Sequence, residues 1–166
     1  MMYPTTSEEV KEWLSRGKYA AERKMVLIER KHSAYLKIVS ITRQVEKRIA
    51  RGTPSRGDDV LASYAAYTAE IDAEIAEHNK TLTETSNAIR GVDGLLHRTV
   101  LVGKYVTLDT KEKIADDICR SIRSVDRIHN EAVLKLLDRF MRSHEEKQRV
   151  SACDKAQQSV GVAVNY

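Results

Sequence analysis

The sequence predicts an all-α protein: a long antiparallel coiled-coil hairpin followed by a C-terminal helix-turn-helix three-helix bundle. Three observations lead there. The 166 residues include only 7 Gly and 2 Pro among many good helix formers. Apolar residues recur at alternating spacings of three and four over long stretches. Between Thr110 and Leu137 the pattern changes to short helix, tight turn and longer helix. Aromatic residues make up 5% of the chain, which suits thin helix-on-helix packing better than a thick core.

The first helix opens at Thr6-x-x-Glu9, a capping-box pattern, ahead of Val10, Trp13 and Leu14. Leu14, Ala21, Ile28, Tyr35, Thr42 and Ile49 then recur every seven residues, joined by Met25, Ile38, Val39 and Val45. Lys24 and Lys31 fall on the flank of this stripe, where their stems can cover the seam. Gly52-Thr-Pro-Ser-Arg-Gly57 predicts a turn, and Asp58 and Asp59 suit the start of the next helix. The second helix has the more regular seam: Leu61, Tyr64, Thr68, Ile71, Ile75, His78, Leu82, Thr85 and Ile89. His78 in that seam reads as a register-setting residue or a wet edge. The short loop implies an antiparallel hairpin over 7–90.

Gly91 and Gly94 mark a break, after which 95–106 reads as one helix and 95–142 as a separate bundle. Periodicity fades after Phe140, so 143–166 is expected to be a frayed helix end and a disordered tail.

Charge is uneven along the chain. Residues 11–56 hold 13 Lys and Arg against 4 Asp and Glu, whereas 57–90 hold 2 against 7. That asymmetry fits two helices whose flanks attract; a basic arm for nucleic acid is the other reading. No apolar run approaches the roughly 20 residues of a membrane span. Met1-Met2-Tyr3-Pro4 has no signal-peptide character, so a cytoplasmic protein without a membrane role is expected. Two cysteines, Cys119 and Cys153, cannot build a disulfide framework or zinc cluster. Glu29-x-x-His32 and Asp126-x-x-His129 share the spacing of di-iron bundles, but His32 lies among cations that repel a metal. No phosphate-cradling glycine loop and no nucleophile with a partner base is evident, so neither a cofactor nor an enzyme is expected.

The informative stretch is Thr110 to Leu137. Ile114, Ala115 and Ile118 face inward from its first helix, and Val125 and Ile128 from its second. Cys119 sits in the turn and is read as a small buried residue. Ser121 can cap the second helix. The outward face of that helix carries Ile122, Arg123, Ser124, Asp126, Arg127 and Asn130, the positions that a recognition helix offers to the major groove. Arg123 and Arg127 could read guanine or clamp phosphate, and Asn130 could read adenine. Lys111, Lys113 and Arg120 can neutralise backbone phosphates.

Arg98-x-x-Leu101-x-x-x-Tyr105-Val106, then Ile114-Ala115-x-x-Ile118-x-x-Ser121-x-Arg123-x-Val125-x-Arg127 and Ala132, resembles the region-4 helix-turn-helix of bacterial sigma factors. The layout as a whole is similar to small phage regulators of the ArpU and RinA kind. Cys119 stands where that family usually has a glycine or another small residue in the turn. The resemblance implies a phage-type transcription regulator in the bacterial host's cytoplasm. It implies binding to double-stranded promoter DNA, with RNA polymerase as a further contact; because a single motif neutralises few phosphates, a homodimer on a divided site is expected. Two alternatives come from other classes: a coiled-coil adaptor or inhibitor of a host machine, and a phage DNA-packaging subunit.

Overall fold

The computed structural model describes the backbone of residues 4–51 and 57–161, and the side chains of these except 48, 49, 57, 58 and 151–161. Every regular element described is helical: α1 (Ser7–Ile49), α2 (Gly57–Arg90), α3 (Leu95–Val102), a π-helical segment (Gly103–Thr107), α4 (Lys111–Asp117) and α5 (Ile122–Gly161). Residues 52–56 of the expected Gly52–Gly57 turn lie outside the described residues.

The capping box forms at the start of α1. Thr6 Oγ1 accepts from the Glu9 backbone N–H at 3.3 Å, and Glu9 Oε2 accepts from the Thr6 and Thr5 N–H groups at 3.2 and 2.6 Å. These donors hold the Glu9 carboxyl below the usual carboxylate range, the Thr5 N–H contributing most.

Helices α1 and α2 pack side by side in opposite directions. Lys31 pairs with Asp72 at 2.6 Å, Arg23 approaches Glu74 at 3.9 Å, and the Tyr19 ring meets His78 edge-on at 6.3 Å. Gly17 lies against Thr85, and a β-carbon at Gly17 would stand 2.7 Å from the Thr85 methyl. A side chain there would force the two helices apart.

The seam of α2 is close to the expected one, with Ile71, Thr85 and Ile89 buried and only its outer end, at Leu61, exposed. The seam of α1 differs. Leu14 and Ala21 are buried as expected, but beyond them Leu27 and Ile38 face α2 while Ile28 and Tyr35 are about half exposed. The face that meets α2 runs instead through Ala20, Leu27 and Ala34, each one residue before a member of the heptad stripe, so the stripe itself lies on a different side of the helix.

A single core joins the base of this pair to the C-terminal helices. Val10 and Leu14 of α1, Ile89 of α2 and Val92 of the following turn pack with Leu101, Tyr105, Ala132, Val133 and Leu136. Trp13 meets Phe140 edge-to-face at 5.1 Å on its border. The boundary drawn from sequence at Gly91–Gly94 is thus a chain reversal, with Gly94 at φ +97°, and the packing runs straight across it.

The segment expected as one helix over 95–106 is α-helical only to Val102 and then widens into the π segment. Gly103 allows a close approach there: a β-carbon on it would lie 2.8 Å from Ile114 Cγ1. The extra residue per turn swings Lys104 and Tyr105 toward α5.

The tail expected over 143–166 is also different. Helix α5 continues to Gly161, because 141–160 contains neither Pro nor Gly and is rich in Glu, Lys, Gln and Arg. The part of that expectation falling on 162–166 lies outside the described residues.

Leu14 is fully buried where the two segments meet. Leu14→Ala should cost about 2–5 kcal/mol. Urea unfolding should still show one cooperative transition, because α1 and α2 share that core with the C-terminal helices.

Candidate nucleic-acid interface

Helix α4 starts at Thr110, whose Oγ1 accepts from the Lys113 N–H at 3.3 Å. It ends in a Schellman motif, with the Arg120 N–H bonded to the Ala115 carbonyl at 2.9 Å and the Cys119 N–H to the Asp116 carbonyl at 3.0 Å. That motif needs a left-handed residue, and Cys119 takes it at φ 52°. Cys119 is exposed, not buried as expected, since a residue at this point of the motif is turned away from the core.

Ser121 then caps α5, its Oγ accepting from the Ser124 N–H at 3.3 Å and lying 3.0 Å from the Ser124 hydroxyl. Below the turn, Ile114 and Ala115 of α4 and Ile118 at its C-cap form a buried cluster with Val125, Ile128 and Val100. The inward positions read from the sequence are therefore the buried ones.

The opposite side of the turn and of α5 is open. Ser121, Ile122, Arg123, Arg127 and Asn130 are exposed on it, Ser124 is half-buried, and Arg120, Lys111 and Lys113 stand exposed beside it. Their electrostatics differ. Lys111 pairs with Asp126 at 2.7 Å and lowers its pKa. Lys113 pairs with Asp109, which holds the Lys113 ammonium above its usual range. Arg127 meets Glu131 at 2.8 Å. Among the described residues, Arg120 and Arg123 have no ion pair. The stretch 109–131 holds five Lys and Arg against six Asp and Glu, so positive charge is local to the turn rather than spread over the face.

A cluster behind this face was not legible in the sequence. His129 is buried, and its Nε2 lies 2.9 Å from the Tyr105 hydroxyl and 3.3 Å from Lys104 Nζ. An ammonium can only donate, so Nε2 is the acceptor and the imidazole is neutral. Burial, reinforced by the Lys104 charge, pushes the His129 pKa down to about 4. Burial likewise depresses Lys104 and raises Tyr105. The Tyr105 and His129 rings stack at 5.8 Å, tying the π segment to α5 beside Asn130. Among the described residues no three His, Cys, Asp or Glu side chains come together to hold a metal ion. None of the described helices is long and apolar enough to cross a membrane.

No family model matches the chain, and no curated protein or solved structure shows significant similarity to it.

Two outcomes are expected. Cys119→Gly removes the cost of a β-carbon in the left-handed region, partly offset by greater unfolded-chain entropy, and should stabilise the protein by about 0.5–1 kcal/mol. Thermal denaturation would show it as a small rise in Tm. For His129 the folded pKa lies below the unfolded one, so the unfolded chain binds more protons between them. Stability should be full above about pH 6.5 and fall as pH drops toward 4, by about 3 kcal/mol at most. His129→Gln should flatten that part of the pH profile in urea denaturation.

Proposed function

We propose that the protein is a phage-type transcription regulator that binds double-stranded promoter DNA. In this reading 7–90 is an antiparallel coiled-coil hairpin, α4 and α5 form a sigma region-4-like helix-turn-helix, and the first turns of α5 enter the major groove. The observation that carries it is the outward, solvent-open placement of Arg120, Ser121, Arg123, Arg127 and Asn130, opposite the buried Ile118, Val125 and Ile128. Arg120 and Arg123, at the turn and the start of the helix, have their guanidinium groups available for phosphate or guanine. Ser121 leaves further N–H groups of the first turn directed at the ligand side.

Lys111, Lys113 and Arg127 reach DNA only by exchanging a carboxylate for a phosphate. One copy therefore neutralises few phosphates, and tight binding calls for two copies on a divided site. RNA polymerase is the further partner in this reading, and the protein works in the cytoplasm of the bacterial host.

A second reading, a coiled-coil adaptor or inhibitor of a host machine, is favoured by one specific observation: the exposed apolar side chains along α1, among them Met25, Ile28, Tyr35 and Leu36.

Mobility shift on prophage promoter fragments separates the two. Arg123→Ala and Arg127→Ala should each weaken specific binding by about 1–3 kcal/mol. Unchanged affinity in both variants would remove the recognition-helix role, and absence of any shift by the parent protein would favour the second reading.

A further inference from the structure

The stripe that the sequence places on α1 and the structure leaves open is itself a complete heptad seam. Ala21, Met25, Ile28, His32, Tyr35, Val39 and Thr42 follow one another at alternating spacings of four and three. Ala21 is buried at the bundle end and Val39 is half-buried; Met25, Ile28, His32, Tyr35 and Thr42 are exposed. At 100° per residue this stripe is turned by about 110° from the face carrying Ala20, Leu27, Ala34 and Ile38, which α2 covers. Helix α1 thus carries two apolar seams along the same stretch, and α2 occupies one of them. Leu36, 55% exposed, widens the open one.

The charges that flank the open seam select its occupant. With Ile28 and Tyr35 at d positions and Met25 and His32 at a positions, the g positions hold Lys24 and Lys31 and the e positions hold Glu22, Glu29 and Leu36; Lys31 is already paired with Asp72 of α2, which leaves Lys24 and Glu29 as the selecting charges. In a parallel pair of helices each g position faces the e position of the next heptad on the partner, which brings Lys24 of one copy to Glu29 of the other, twice over. In an antiparallel pair g meets g and e meets e, so that lysine faces lysine and glutamate faces glutamate. The seam is therefore self-complementary in the parallel sense.

We propose that this face is the dimer interface of the protein, two α1 helices pairing parallel and in register through Met25, Ile28, Tyr35 and Val39, with each α2 on the outside. A two-fold axis along the α1 pair sets both C-terminal bundles at the same end of the assembly. The inference does not depend on what those bundles bind.

The test is the mass of the full-length chain in solution, by light scattering and sedimentation equilibrium. The expected species is a dimer of two 18.8 kDa chains. Ile28→Glu combined with Tyr35→Glu should give a monomer of unchanged helical circular dichroism, because both positions are exposed within one chain. Ile41→Glu, on the other side of α1, should leave the dimer intact. Lys24→Glu and Glu29→Lys should each raise the dissociation constant roughly tenfold, and the two together should restore it. A monomeric parent protein, as expected of a seam that serves a different protein, would overturn the proposal. So would a dimer that survives Ile28→Glu with Tyr35→Glu. Failure of the paired charge exchange to restore affinity would overturn the parallel register.

Discussion

The joint between the two long N-terminal helices and the C-terminal bundle is the constraint on which the rest depends. Val10, Leu14 and Ile89 are removed from solvent by Leu101, Tyr105, Ala132, Val133 and Leu136. Neither group could bury itself alone. The α1–α2 pair by itself is one layer with an open underside, and the short α3 and α4 helices have little cooperativity of their own. Because the same side chains close both, the orientation of α5 is set by the helices that precede it. The exposed arginines after Ser121 are presented at a fixed attitude to α1 and α2.

That joint also explains the polar cluster at its edge. The π segment is held between α1 and α5, and its extra residue per turn brings Tyr105 and Lys104 against His129. A neutral imidazole is the form that accepts from both groups. Proximity of Lys104 to a buried histidine keeps it so. The cluster places a buried polar contact beneath Asn130, on the opposite side of α5 from the solvent-open face.

Much of the architecture is legible in the residues, for reasons that differ from element to element. The capping box at Thr6 and Glu9 and the caps at Thr110 and Ser121 are local hydrogen-bond patterns, so a few neighbouring residues suffice to read them. The inward set of Ile114, Ala115, Ile118, Val125 and Ile128 follows from helical spacing across one tight turn. The outer half of α1 is harder. It has two apolar faces, and composition cannot say which one α2 takes; the heptad stripe through Ile28 and Tyr35 is real, but the intramolecular partner packs on Leu27 and Ile38. The continuation of α5 past Phe140 was hidden because a helix of polar residues carries no stripe to detect. The meeting of Tyr105 with His129 joins residues 24 positions apart through a winding defect, and no local pattern encodes it.

The exposed side chains of the candidate interface are chemically uneven in a way that the sequence already contained but could not rank. Spacing gives Arg123 and Arg127 equal standing. Geometry separates them, because the carboxylate one turn further along α5 reaches Arg127. Arg120 and Arg123 follow the left-handed Cys119 and are spared such a neighbour among the described residues.

Helix α5 is one unbroken rod of 40 residues, about 60 Å at 1.5 Å per residue. Its opening turns hold the presented arginines, its middle is clamped at Ala132, Val133 and Leu136, and residues 145–150 are exposed. Packed at two levels, at Val125 and Ile128 and again at Ala132, Val133 and Leu136, the rod carries its arginine-bearing end and its far end as one rigid span.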